Sequence, residues 1–159
     1  IAGGGRMNIG ARWLSLVAIP VLAACSPAIP PPAQLDTKTE NCAFCRMTVS
    51  DRHFAAQIVA RGEEPLFFDD LGCLHGYLGE KNITGRRVMV YVADHRSGDW
   101  APASSALFSR QAALETPMAS HLIAHANDES LRLDPAAQGA VRVSASEVLG
   151  PAAEKGKGP

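Results

Sequence analysis

The residues best able to do chemistry crowd into Asn41-Cys42-Ala43-Phe44-Cys45-Arg46-Met47, where two thiols and a thioether fall within six residues. Thiolate and thioether are soft donors and select Cu(I), an ion content with two or three ligands. Structural zinc takes four thiolate or imidazole ligands, and His53, His75, His95, His121 and His125 show no zinc-finger spacing. A c-type haem site is excluded, because Arg46 stands where a histidine must follow the second cysteine. On an extended segment Cys45 and Met47 point the same way, so both sulfurs can face one ion. Cys42 and Cys45 also have the spacing of a disulfide or redox pair, and that reading stays open. No helix start is legible at the pair, so the dipole that lowers thiol pKa in redox enzymes is not evident.

The elements that must present this segment begin with the amino terminus. Met7 reads as the start, after a glycine-rich Ile1–Arg6. Arg12 gives a positive region, and Trp13 to Ala24 is apolar, too short to span a bilayer and ending in small residues, as a signal peptide does. Leu22-Ala23-Ala24-Cys25 matches the lipobox of bacterial lipoproteins, in which the cysteine sulfur takes a diacylglycerol. The alternative is a buried helix with an incidental cysteine. With lipidation, residues 1–24 are leader and signal, and Cys25 is the membrane anchor, held by two or three acyl chains. Residues 25–39 are a proline-rich tether, with prolines at 27, 30, 31 and 32 favouring polyproline II. Residues 151–159 are small, polar and basic, and read as a disordered tail. These features place the folded part outside the cytoplasm, on the periplasmic side, and Ser26 in place of Asp after the anchor favours the outer membrane.

Removal of residues 1–24 leaves 135 of the 159, enough for one ordinary domain or two small ones. Arg6 and Arg12 leave with it, so the 15 basic side chains become 13 against 16 acidic, a net charge near −3. Without a basic cluster, that balance argues against nucleic acid as a partner. Cys42, Cys45 and Cys73 remain, and an odd count in an oxidising compartment means that one thiol is free, paired between chains or metal-bound.

Periodicity places a strand over His53–Ala60, a second over Leu66–Phe68 and a connection through Gly62. A helix follows, capped by Asp69 or Asp70, carrying Leu71, Leu74, Tyr77 and Leu78 on one face and stopping near Gly79. Arg87–Ala93 is a third strand. The second half repeats the order more weakly. Trp100–Ala101 and Ala106–Ser109 are short strand candidates, Ser120–Ala126 is a firmer one, and Asp128–Gln138 is a helix interrupted at Pro135. Ala140–Val143 is a last strand, and Ser144–Leu149 a helix with a capping box between Ser144 and Glu147. The reading is α+β: a first ββαβ unit over 40–94 and a second, similar unit over 95–150, joined near Asp94–Asp99.

The lipobox, the Cys45-x-Met47 segment, Phe67-Phe68-Asp69-Asp70-Leu71-Gly72-Cys73-Leu74 and Thr116-Pro117-Met118 together resemble the NosL family, over nearly the whole chain from Cys25 to about Leu149. These are lipoprotein copper chaperones that serve the maturation of nitrous oxide reductase. The resemblance implies two small ββαβ units related to the organomercurial lyase fold, and no enzymatic activity. It implies Cu(I) held by Cys45, Met47 and Met118, with Cys42 assisting or shielding Cys45 as a disulfide. It implies as partners nitrous oxide reductase and the ABC-type maturation machinery beside it. On its own Met118 reads as packing, and Cys73 as a buried helix thiol. The chain departs from the family pattern at Ala119, where glycine is expected, and a loop needing positive φ there is strained.

Overall fold

The computed structural model describes residues 1–3, 30–81, 83 and 87–150. The lipobox with Cys25, the signal sequence and the 151–159 tail lie outside these described residues. The fold is α+β, with two small antiparallel sheets and three α-helices among the described residues. Strands β1 (Ala56–Ala60), β2 (Leu66–Phe68), β3 (Val88–Ala93) and β4 (Trp100–Pro102) make the first sheet, in the order β2-β1-β3-β4. Strands β5 (Leu107–Arg110), β6 (Leu122–His125) and β7 (Val141–Val143) make the second, in the order β6-β5-β7. Helix α1 (Leu71–Glu80) follows β2, α2 (Asp128–Leu133) follows β6, and α3 (Ala145–Leu149) follows β7. No helix among the described residues is long and apolar enough to cross a membrane.

One core serves both sheets: Phe67, Phe68, Leu74 and Val92 from the first half pack with Phe108, Leu122, Ala124 and Val148 from the second. The polar edges of that core are closed by side chains. Asp70, in extended conformation, caps α1 by accepting from Gly72 N at 2.6 Å, as the sequence predicts for a helix start. Ser144 caps α3 by accepting from Glu147 N at 3.1 Å, while the Glu147 carboxylate accepts from Arg110 at 3.0 Å. Pro135 ends α2 and the chain restarts as a 3₁₀ turn over Pro135–Ala137, capped by Asp134.

Four details differ from the sequence reading. The strand expected from His53 begins at Ala56, because the Asp51 side chain accepts from His53 N and winds Arg52–Phe54 into a 3₁₀ turn. Helix α1 runs one residue past Gly79, to Glu80, with Lys81 N still bonded to Tyr77 O. Trp100–Pro102, expected in the second unit, pairs with β3 in the first sheet. The intervening Asp94–Asp99 segment is a hairpin turn: the Asp94 carboxylate accepts from Arg96 N and Ser97 N, and Gly98 supplies a φ of 76°. Finally, the end of the proline-rich segment lies along the first sheet. Ala33 exchanges two bonds with the buried Gln57 amide, at 2.7 and 3.2 Å, and the Tyr91 hydroxyl donates to Pro30 O at 2.7 Å. This strap covers the face that Gln57 and Tyr91 share, which is why β1 is buried nearly throughout instead of alternating.

Candidate metal centre

The Cys42–Met47 segment is a tight loop, not the extended run the sequence suggested. Cys42 N donates to Met47 O at 2.7 Å, Arg46 N returns to Cys42 O at 3.0 Å, and Arg46 sits at φ 70°. Those bonds wind the chain, so the strand argument for Cys45 and Met47 facing one way does not apply. The loop is stitched to edge strand β2 by Ala43 N on Phe67 O at 2.8 Å. Cys42 is thereby fully buried, Cys45 half-buried and Met47 56% exposed.

Beside the loop stand Asp69 and Cys73, at the start of α1. The thiols of Cys42, Cys45 and Cys73 and a carboxylate oxygen of Asp69 lie within 4.8 Å of one another. Cys45 Sγ donates to Asp69 Oδ2 at 3.4 Å, while Asp69 Oδ1 is buried without a partner. An orphaned buried carboxyl oxygen among thiols is costly unless something cationic or protic meets it. Burial pushes the Cys45 thiol above its ordinary range and does the same, more strongly, to Cys73. Cys42, Cys45 and Cys73, the cysteines among the described residues, are free thiols.

Met118 arrives from the other half of the chain. Asp70 Oδ2 accepts from Thr116 Oγ1 at 2.6 Å and from Met118 N at 3.0 Å. Thr116 Oγ1 in turn accepts from His121 N at 3.1 Å. Ala119 and His121 adopt φ values of 56° and 59°, so the residue that stands for glycine does occupy the left-handed region. Among the described residues, the non-glycine positions at positive φ are Arg46, Ala119 and His121. All three lie in these two loops, and each costs of order 1 kcal/mol or more. Strain so confined marks the loops as shaped for something other than stability.

Helix α1 gives both loops their seat. Gly72 and Gly76 share one face, four residues apart. A Cβ on Gly72 would lie 2.8 Å from Ser120 Cβ, and one on Gly76 would lie 2.6 Å from the Phe44 ring. The missing side chains are notches, one per loop. Phe44, Met47 and Met118 stay 38%, 56% and 43% exposed, so large apolar side chains ring the half-buried Cys45 loop and the Met118 loop instead of joining the core.

The structure thus joins Cys42 and Cys45 in one cluster and ties Met118 to the carboxylate next to Asp69. Met47 and Met118 both present their side chains at the surface. The sequence reading missed Asp69, Asp70, Gly72 and Gly76 as parts of the site, and left Cys73 as a helix thiol. Cys73 is buried and helical as expected, yet its sulfur belongs to the cluster. The adjacency of Asp69-Asp70 to Cys73 in one run was the available signal.

Fold and site define an α+β domain with a sulfur-rich centre able to hold a soft metal ion. A family model described as NosL matches residues 32–146, and the chain belongs to that family. Membership supports copper binding, and the three clustered cysteines are fit to contribute to it. No curated protein and no solved structure matched the chain.

Proposed function

We propose that the protein is a non-enzymatic Cu(I) chaperone, lipid-anchored through Cys25 on the periplasmic face, that delivers copper for assembly of the copper centres of nitrous oxide reductase. The observation that carries the reading is a half-buried thiol, Cys45, backed by two buried thiols and flanked in sequence by an exposed thioether. Soft donors select the soft ion. Cu(I) is cargo here, held by Cys45 with Met47 and Met118, and with Cys42 close enough to assist. Exposed methionines leave one side of the ion open, so an acceptor sulfur can enter before a donor sulfur leaves. A closed four-ligand site would trap the ion. The acceptor in this reading is the reductase or its ABC-type machinery, and lipid anchoring would hold the chaperone beside either.

Anaerobic titration of the reduced protein against a Cu(I) competition probe tests it: one tightly held equivalent, lost in Cys45→Ser, is the expected result. Absence of binding by wild type would remove the reading.

A second reading, a thiol–disulfide protein, is favoured by the closeness of the Cys42 and Cys45 sulfurs. Two observations weigh against it. No helix begins at the pair among the described residues, and burial raises the Cys45 thiol, the opposite of what an attacking thiolate requires. Met47→Leu separates the readings, because it weakens copper binding and spares thiol redox chemistry.

A further inference from the structure

The second half of the chain contributes to another convergent cluster, built from harder donors. His95 lies in the β3–β4 turn, His125 ends β6 and Asp134 follows α2. Their ligand atoms lie within 4.8 Å of one another. His95 Nδ1 donates to Asp134 Oδ2 at 2.6 Å, and His125 Nε2 donates to the same oxygen at 2.8 Å. The other oxygen, Oδ1, accepts from Ala136 N at 2.9 Å. The carboxylate is thus oriented from behind and aims one oxygen at two imidazoles.

The carriers are braced. His95 N donates to Ala124 O at 2.8 Å, and Asp94 accepts from Ala126 N and from Ser130 Oγ, each at 2.8 Å. His125 is fully buried and its Nδ1 has no partner, an orphan that a purely structural histidine would be expected to satisfy. The same orphan makes the tautomer free to change. A proton moved to Nδ1 exposes the Nε2 lone pair and breaks no bond except the one an ion would replace. The His95 side chain keeps 13% of its surface exposed, so the cluster is not wholly sealed from solvent.

We infer that His95 Nδ1, His125 Nε2 and Asp134 Oδ2 form a second metal site, selective for a borderline divalent ion, Zn(II) or Cu(II), and separate from the sulfur centre. Imidazole and carboxylate suit such ions, whereas Cu(I) prefers the sulfurs. Three protein ligands leave a fourth position for water. The ion would replace two hydrogen bonds to one oxygen with three coordinate bonds, and would clamp the β3–β4 turn, β6 and the end of α2 together. This site does not depend on the Cu(I) reading.

The test uses the full chain carrying Cys45→Ser, which disables the sulfur centre, and titrates it with Co(II) and with Zn(II) against a chromophoric chelator. One equivalent should bind, with a Co(II) spectrum free of thiolate charge-transfer bands. His95→Ala should weaken binding by more than about 100-fold, above the range of losses from outer-sphere changes. His95→Asn, which keeps a donor near Asp134 but not an imidazole, should do the same with the fold intact by circular dichroism. No binding in Cys45→Ser, a thiolate band, or undiminished binding in His95→Asn would overturn the inference.

Discussion

The two loops on α1 solve the same problem by different means. Each carries a methionine to the surface, each contains left-handed residues that are not glycine, and each rests on a glycine notch of one helix face. The Cys42–Met47 loop is held by backbone bonds, within itself and to β2. The Thr116–His121 loop takes two bonds from a single side chain, Asp70, at Thr116 and Met118. The first set of proposed ligands is therefore built into the sheet, and the second is bolted to the start of α1 through one carboxylate, Asp70. The halves of the proposed copper site should therefore fail separately.

The largest effect is expected where the thiolate is lost. Cys45→Ser should weaken Cu(I) by more than about 100-fold, beyond the usual cost of changing only supporting residues, as read by probe competition; a smaller loss would shift the principal thiol to Cys42 or Cys73. Asp70→Ala should come next. It removes a helix cap, worth about 0.5–2 kcal/mol, and leaves Thr116 Oγ1 and Met118 N without their acceptor, at about 0.5–1.5 kcal/mol per such bond. Chemical denaturation should show a loss of roughly 2–4 kcal/mol, and Cu(I) affinity should fall with it. Asp94→Asn is the control. Asp94 also joins separate elements, through Ala126 and Ser130, but touches neither loop. It should lower stability and leave Cu(I) affinity unchanged.

Asp94 also fixes an acid limb. Burial pushes its carboxyl up, but bonds from Ala126, Ser130 and Ser97 outweigh that and hold it below the ordinary 3.8. A depressed folded-state value contributes stability that is present above the unfolded pKa and lost as pH falls through the folded one. Wild type should therefore lose stability below about pH 4, and Asp94→Asn should lose less of it there. Met47→Leu and Met118→Leu should each cost about tenfold in Cu(I) affinity, equivalent to about 1.4 kcal/mol, with the fold intact. The smallest effect is Ala119→Gly. Relief of a left-handed alanine is offset by the entropy of the unfolded chain, so thermal melts should place the change within about 1 kcal/mol.

Much of the fold was legible because its signals are local. Hydrophobic spacing marked β2, α1 and β3, Asp70 and Ser144 announced their helices, and Pro135 announced its break. What escaped was tertiary. Nothing in Gln57 or Tyr91 as residues says that a proline-rich strap will cover them and bury β1 nearly throughout. The Asp94 turn looked like a joint between units because a hairpin closed by side-chain bonds has no hydrophobic period. In the site, the cysteines and methionines were visible by type, and Ala119 by its departure from glycine. Asp69 and Asp70 were read only as a helix start, yet neighbouring carboxylates point to different partners, one to thiols and one to a loop 46 residues away. Residue type cannot reveal that division.

If sulfurs from both loops meet at one Cu(I) ion, as proposed, copper X-ray absorption on the loaded protein will see them, with wild type compared against Asp70→Ala. Wild type should show a shell of sulfur alone, and Asp70→Ala one sulfur fewer once the Met118 loop loses its bolt. A shell with nitrogen or oxygen ligands, or one unchanged in Asp70→Ala, would contradict it.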